Sequence, residues 1–425
     1  MAKPAPTSEG SEGIVFAYAY NFMGMTEGSA NRALQLLRFL RRRGHRVTVY
    51  SKNYRSSSKA GKNNWRAIDE AVFAEQFPEF NLKIEAWSVF DEPLRLCKNL
   101  LITCFPKLTK RLLKIRVPGI APKWKQIKDG KPRLLIVGYA HTVTYFNGLV
   151  GEDWIIDQND IEFLLNRRVS GRPTYHLSVL LRARRELGIL EASTMVLSNS
   201  YAEWLIGRSL IDRPKLVLFP YLNDFGDHSV VRTPPVCDFA YDLLFVGTKH
   251  HFNVIGLREF LIDFISAGIN CRLAIAGSVG DAEIVRDIAS TTSCVFILGY
   301  VDNLHELYSK SRASICPVSG GGTKTKIIES LQYARPVFAS LQACEGLIPG
   351  FETCVFPLDQ RTIRKFLASS DDRSGDCERY LEIHNKHIQS NEFVDLLDGV
   401  ERSSVPREFR MQRARVDQIQ DEAER

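Results

Sequence analysis

The sequence predicts an α/β protein of two domains, each a parallel sheet wrapped by helices. Three observations carry that expectation. The chain has 425 residues, 44% hydrophobic and 25% charged, which is enough apolar material for two cores of ordinary size. Short β-branched or aromatic runs alternate with segments of helical period, the signature of successive β-α-β units. The alternation stops once, over a stretch holding Gly226, Pro234 and Pro235, and then restarts.

In the first half, residues 14–20 read as a strand, 30–43 as a helix with Leu34, Leu37 and Leu40 on one stripe, and 47–51 as the next strand. Further strands are legible at 133–138, 154–157, 195–198 and 216–219, with a helix at 178–192. After the break come strands at 243–246, 272–276, 295–298, 313–317 and 337–340, separated by helices at 254–267, 282–289, 304–309 and 324–334. The order implies two Rossmann-like halves joined by one linker. We place an N-terminal segment at 1–12, a first domain at 13–225, a linker at 226–239, a second domain at 240–402 and a charged tail at 403–425.

The nine cysteines include no C-x-x-C pair, so they read as free thiols in a reducing compartment, not as a disulfide framework or a zinc site. The opening MAKPAPTSEGSEG lacks an apolar core, and no run approaches the roughly 18 apolar residues of a spanning helix. The expected location is therefore cytoplasmic. The net charge is +7, but residues 98–133 hold eleven Lys and Arg against Asp129 alone, a local +10 that leaves the remainder at −3. Charge confined to one segment points to one anionic surface.

The most informative stretch is Ser319-Gly320-Gly321-Gly322-Thr323-Lys324-Thr325-Lys326-Ile327-Ile328-Glu329, between a strand and a helix. Glycines let backbone approach a ligand closely, and the helix start beyond them presents unpaired N–H groups that suit a phosphate. Lys326 and Glu329 lie three apart on one helix face, offering a cation for phosphates and a carboxylate for a ribose. On spacing alone a plain tight turn followed by a solvated ion pair accounts for the same residues equally well.

The run GGGTKTKIIESLQYARPVFASLQACEGL resembles the nucleotide-sugar motif of glycosyltransferase family 4, a group with the two-domain GT-B fold. Supporting segments are EGSANRALQLLRFLRRRGHRVTVYS, DQNDIE, LFPYLND, LLFVGTKHHFNVIGLREF and LGYVDNLHELYSKSRASICPV, in family order over most of the chain. The resemblance implies a donor nucleoside diphosphate sugar held in the cleft: Glu329 on the ribose, Lys326 on the diphosphate, the Gly320, Gly321, Gly322 and Thr323 backbone on phosphates or sugar, and Gly299, Tyr300 and Val301 on the base. Gly28 and Ser29, opening the first long helix, would face the diphosphate from the other domain. It also implies retention of anomeric configuration, with no metal and no cofactor; the chain has no D-x-D pair. Two departures stand out. Many members carry a glutamate at the position held here by Gly322, and an Arg and a Lys where this chain has Thr248-Lys249-His250-His251, so that Lys249 is left as the cation.

His141, Asp157 and Asp160 follow strands whose C-terminal ends would open into the cleft. His141 reads either as a catalytic contact to donor sugar or acceptor, or as a hydrogen-bonded structural histidine. Asp157 and Asp160 can orient an acceptor hydroxyl; alternatively Asp160 N-caps a helix beginning at Ile161. His250 and His251, being adjacent, suit pocket lining better than shared metal ligation. In KLTKRLLKIR at 107–116, Leu108, Leu112 and Ile115 share a helical face with cations on the others, which fits an anionic lipid surface or a solvated helix packed by its leucines.

The expected function is transfer of a sugar from a nucleoside diphosphate donor to a glycan or lipid-linked acceptor, by a cytoplasmic enzyme with peripheral membrane attachment and no nucleic-acid partner. The same fold admits a nucleotide-sugar epimerase or a non-catalytic subunit that binds without transferring.

Overall fold

β1 (Ile14–Ala17) is the run IVFA with every residue buried, which a strand tolerates only where both faces of its sheet are covered. The covering follows in the computed structural model, which describes residues 13–19, 21–23, 28–53, 68–86, 91–114, 134–145, 154–212, 215–221, 239–319, 321–369 and 372–404. α1 (Gly28–Arg42) lays Ala33, Leu36, Leu37 and Leu40 on the sheet, all buried. The buried stripe thus runs through Leu36, while Leu34 packs at its margin. Next come β2 (Val47–Asn53), α2 (Glu70–Gln76), β3 (Asn81–Ala86), α3 (Asp91–Cys104), α4 (Thr109–Lys114) and β4 (Leu134–Gly138). β5 (Ile155–Gln158), α5 (Glu162–Ser170), α6 (Leu177–Ala192), β6 (Met195–Ser198), α7 (Tyr201–Leu210) and β7 (Lys215–Leu218) complete the first domain's run of elements. The seven strands order as β3-β2-β1-β4-β5-β6-β7, parallel throughout, with Ile14 in register with both Val47 and Leu134.

The second domain repeats the scheme: β8 (Tyr241–Val246), α8 (His251–Ser266), β9 (Leu273–Ala276), α9 (Glu283–Ala289), β10 (Val295–Gly299), α10 (Leu304–Ser309), β11 (Ser311–Cys316), α11 (Thr325–Gln332), β12 (Val337–Ala339), α12 (Leu341–Cys344), β13 (Val355–Pro357) and α13 (Gln360–Ala368). Its parallel sheet orders as β10-β9-β8-β11-β12-β13. In both sheets the strand order reverses beside the first strand of the domain, between β1 and β4 and between β8 and β11. The loops leaving those strands open the crevices where α/β sheets take ligands.

The C-terminal boundary differs from the expected one at residue 402. α14 (Ser374–Gln389) packs Cys377, Tyr380 and Leu381 into the second core but Ile388 into the first. α15 (Glu392–Ser404) lies on the first domain, burying Phe393 and Leu397 there, with Phe393 edge-on to Phe219 at 5.1 Å. His384 Nε2 donates to the carbonyl of Tyr221 at 2.8 Å, and Arg43 pairs with Asp398 at 2.8 Å. An apolar face that the second core leaves bare has to be covered somewhere, and the chain returns to cover it on the first.

KLTKRLLKIR does not form one helix. Pro106–Leu108 is a 3₁₀ turn and α4 starts only at Thr109, so Leu108 leaves the expected helical face and is exposed to solvent (42%). Residues 115–133 of the basic segment, Gly320, most of the linker and the tail beyond 404 lie outside the described residues. No helix among the described residues is long and apolar enough to cross a membrane. The described cysteines are free thiols, four of them buried.

Candidate functional site

The second-domain crevice is floored by the ends of β8 and β11 and flanked by α8 and α11. α8 approaches β11 so closely that a side chain at Gly256 would strike the Pro317 carbonyl. His250 and Lys324, the residues before the two helices, make no side-chain cap bond, and both helices aim positive dipole ends at the same end of the sheet. Lys326, in the first turn of α11, donates to Asn253 Oδ1 at 2.8 Å and lies 4.5 Å above the Phe245 ring. Burial lowers its pKa, and the nearby Glu329 carboxylate works against that shift. An arriving phosphate would restore the charge that burial penalises.

Glu329 sits one turn further on, half-buried, close enough to Tyr333 that, after burial, its charge helps push that hydroxyl up to about 12. Tyr333 stacks on Tyr308 at 4.8 Å, and burial followed by the same carboxylate raises Tyr308 as well. Glu329 therefore stands beside a wall of two tyrosines, while Lys326 is turned onto Asn253 and Phe245. At the mouth, Lys249 Nζ donates to the Asp281 carbonyl at 3.1 Å, and His250 is the residue before α8. Gly299, the last residue of β10, turns with φ 67°, Tyr300 is 78% exposed, and Val301 packs into the satellite core beside Leu304.

The glycine turn meets the first domain. Gly322 has φ 69°, and any Cβ there would collide with Asp160 Oδ1; both the backbone region and the contact require glycine. Its N–H donates to Glu203 Oε1 at 3.3 Å. Thr323 Oγ1 donates to the Asn199 carbonyl at 2.6 Å, while Tyr201 and Ala202 N–H donate to the carbonyls of Gly346 and Glu345 at 3.1 Å each. Lys324 Nζ donates back to the Gly322 carbonyl at 3.1 Å and to that of Gly321. The position where the family motif carries a glutamate is thus faced by carboxylates from the other domain, and the Gly322 amide expected to meet phosphate is taken by one of them.

Across the seam, Asp157 and Asp160 part company. Asp157 is buried and paired with Arg32 at 2.9 Å, and the same guanidinium donates to the carbonyls of Phe219 and Pro220. That commits the Asp157 carboxylate to the interior, away from any acceptor. Asp160 does not cap a helix: α5 starts at Glu162, and the residue before it, Ile161, makes no side-chain cap bond. The free amides are capped from elsewhere. Glu186 accepts from Glu162 and Phe163 N–H at 2.8 Å each, and Glu203 Oε2 accepts from Ile161 N–H at 3.0 Å. Burial pushes both glutamates up to about 8, with the Asp160 charge adding to the shift at Glu203.

His141 lies in the 3₁₀ turn Ala140–Tyr145 after β4, its Nδ1 paired with Glu162. The preceding residue but one, Tyr139, has φ 67°, an unusual conformation for a bulky residue, and its hydroxyl accepts from Asn159 Nδ2 at 2.7 Å. His141 faces a cavity of about 290 Å³. Gly28 and Ser29 open α1 at the β1/β4 switch. Glu203, Glu186, Asn253 and Lys324 were not among the expected site residues. Ser200-x-x-Glu203 carries the sequence form of a capping box, and Ser200 does accept from the Glu203 N–H, but the carboxylate swings to the seam instead.

Residues 240–366 match the family model described as Glycosyl transferases group 1. No curated protein matches the chain. Among solved structures, sucrose-phosphate synthase from Thermosynechococcus elongatus is similar with a TM-score of 0.56 at 14% identity, over 87% of this chain and 94% of that one. HepE from Anabaena in complex with UDP gives 0.56 at 11%, over 92% and 99%. A glycosyltransferase from Rickettsia africae gives 0.54 at 11%, over 91% and 96%. At these identities the similarity is one of fold, and the fold is GT-B.

Proposed function

We propose that this chain, whose second domain carries the glycosyl transferases group 1 sequence on a GT-B fold, transfers a sugar from a nucleoside diphosphate donor to an acceptor hydroxyl. The observation that carries the reading is the placement of Lys326 and Glu329 together on the first turns of α11, at the β8/β11 switch point and beside the start of α8. Glu329 accepts the ribose hydroxyls. Lys326 and the two helix ends hold the diphosphate, and the main chain at Gly299–Val301 meets the base.

In the reaction the bond from anomeric carbon to diphosphate oxygen breaks and a bond to the acceptor oxygen forms. The acceptor proton passes to the departing diphosphate, with retention of configuration. Fixed cations and helix dipoles stabilise the charge that develops on the leaving group, so neither a metal nor a cofactor has a required step. His141 contacts the sugar or the acceptor, Lys249 supports the diphosphate from the loop after β8, and Asp160 orients the acceptor. Gly28 and Ser29 close on the phosphates from the first domain, and Glu203 releases the Gly322 amide when the donor enters. HepE binds UDP and glucose in its own crystals, which makes UDP the first nucleotide to test.

We further place the enzyme at the cytoplasmic face of a membrane. Leu96 and Leu100, one turn apart on α3, are 55% and 65% exposed, with exposed Phe105, Leu108, Lys107, Lys110 and Arg111 following. Apolar side chains ringed by cations suit an anionic lipid interface.

The test is calorimetric titration of UDP and the other nucleoside diphosphates into wild type and Glu329→Ala. Losing charge-assisted hydrogen bonds costs about 1.5–3 kcal/mol, so the cognate nucleotide should bind at least tenfold more weakly to the variant. Equal affinity of both proteins for every nucleotide would remove the donor site from α11.

A further inference from the structure

The 290 Å³ cavity beside His141 belongs to the first domain alone, and its chemistry is unlike that of the donor crevice. Three guanidiniums, Arg95 from α3 and Arg182 and Arg185 from α6, converge on it together with Asn99 and Tyr145. Arg95 is held over the Tyr145 ring at 5.0 Å, which fixes its plane. Among the described residues that line it, one carboxylate faces them, Glu162, which His141 engages. The next carboxyl behind, Glu186, is turned to the amides of Glu162 and Phe163 and raised to about 8 by burial. Burial lowers the Arg185 pKa, and Arg182 and Arg95 repel its charge while Glu162 favours it. The cavity thus concentrates more positive charge than its walls compensate.

We propose that this cavity is the acceptor subsite, and that it takes a phosphorylated acceptor by its phosphate group. The word acceptor rests on the transferase reading above; the anion chemistry does not. Planar guanidiniums bind phosphate oxygens bidentately and keep their charge in a partly dry site, and the volume is that of a small-ligand pocket. The position fits as well. The cavity opens at the C-terminal ends of β4 and β5, and Leu165 in its wall comes within 4.0 Å of where a Gly321 side chain would begin. A phosphate seated among the arginines would therefore leave the remainder of the acceptor pointing at the glycine turn and the donor.

A soluble sugar phosphate and a lipid-linked phosphate present the same group, and the experiment separates them. Calorimetry on the full chain would titrate glucose 6-phosphate, glucose, farnesyl phosphate in detergent, and inorganic phosphate, each with and without UDP. We expect one of the two phosphate esters to bind while glucose does not. Arg185→Gln should weaken that ester at least tenfold and Arg185→Lys by less, with UDP affinity kept within twofold. Arg182, exposed at the rim, supplies Arg182→Gln as a variant whose folding is not in question; a fivefold or greater loss is expected there. Esters that bind no better than glucose, or arginine variants that match wild type, would overturn the proposal. So would UDP weakening in step with the ester, because the cavity would then belong to the donor site. Arginine-dependent ester binding in a protein that binds no nucleotide would leave the anion site standing and remove the transferase reading.

Discussion

Asp157 shows how one carboxylate can satisfy a sequence expectation of position and still do other work. It stands inside β5 near the crevice end of the sheet, where Arg32, itself held by two main-chain carbonyls, locks it in the interior. Removing one partner of a buried ion pair strands the other charge, at about 3–5 kcal/mol. Asp157→Asn should therefore lower unfolding stability in urea by roughly that amount, while any folded fraction keeps its affinity for acceptor. Glu203 makes the opposite case: it lies in the first turn of α7, where nothing in the sequence singles it out as a site residue, and stands at the centre of the seam. Its carboxyl titrates near 4.5 unfolded and about 8 folded. Below 4.5 both states hold the proton; between the two values only the folded state does, so stability falls with rising pH by about 1.4 kcal/mol per unit, levelling above 8. Glu186, raised by the same burial, adds an equal slope, so Glu203→Gln should halve the total in urea titrations from pH 5 to 8; an unchanged slope would show that Glu203 does not contribute.

At the scale of elements, what could be read from the sequence was what repeats. Strands buried on both faces, such as β1 and β9, carry unbroken apolar runs and appeared in the sequence within a residue or a few of their limits. β3 did not, because NLKIEA alternates polar and apolar residues as an edge strand does and holds no turn signal of its own. The triglycine turn and the Lys326–Glu329 pair were legible because their chemistry is local. The seam was not, because Glu203 meets Gly322 only after two domains have folded and docked. α15 was missed for the same reason: its amphipathic face has no partner nearby in sequence, and finds one on the first domain more than 170 residues upstream. That docking can be weighed. Phe393→Ala opens a buried aromatic site against Phe219, which costs about 3–5 kcal/mol. Asp398→Ala breaks only a half-exposed pair with Arg43, worth under about 1 kcal/mol. Chemical denaturation followed by first-domain tryptophan fluorescence should show the first variant strongly shifted and the second near wild type; equal small shifts would mean that α15 is only loosely docked.

For the whole molecule, the decisive asymmetry is electrical. The chain's excess charge of +7 is less than the +10 of residues 98–133 alone, so the rest of the protein is slightly acidic. A membrane carrying anionic lipid would therefore orient the enzyme as well as attract it, drawing α3 and α4 down and leaving the second domain in solution. Each cation near such a surface contributes about 1 kcal/mol. Replacing Lys107, Lys110 and Arg111 by Gln should then reduce binding to phosphatidylglycerol vesicles roughly a hundredfold, without altering UDP affinity. Salt adds a second control, because screening shortens from about 10 Å at 0.1 M to about 3 Å at 1 M. Wild type should leave the vesicles across that range if charge dominates. If Leu96 and Leu100 carry the contact instead, wild type stays bound at high salt and Leu96→Ser with Leu100→Ser releases it. Sedimentation that is indifferent to lipid charge, salt and both sets of substitutions would show that this face does not meet a membrane.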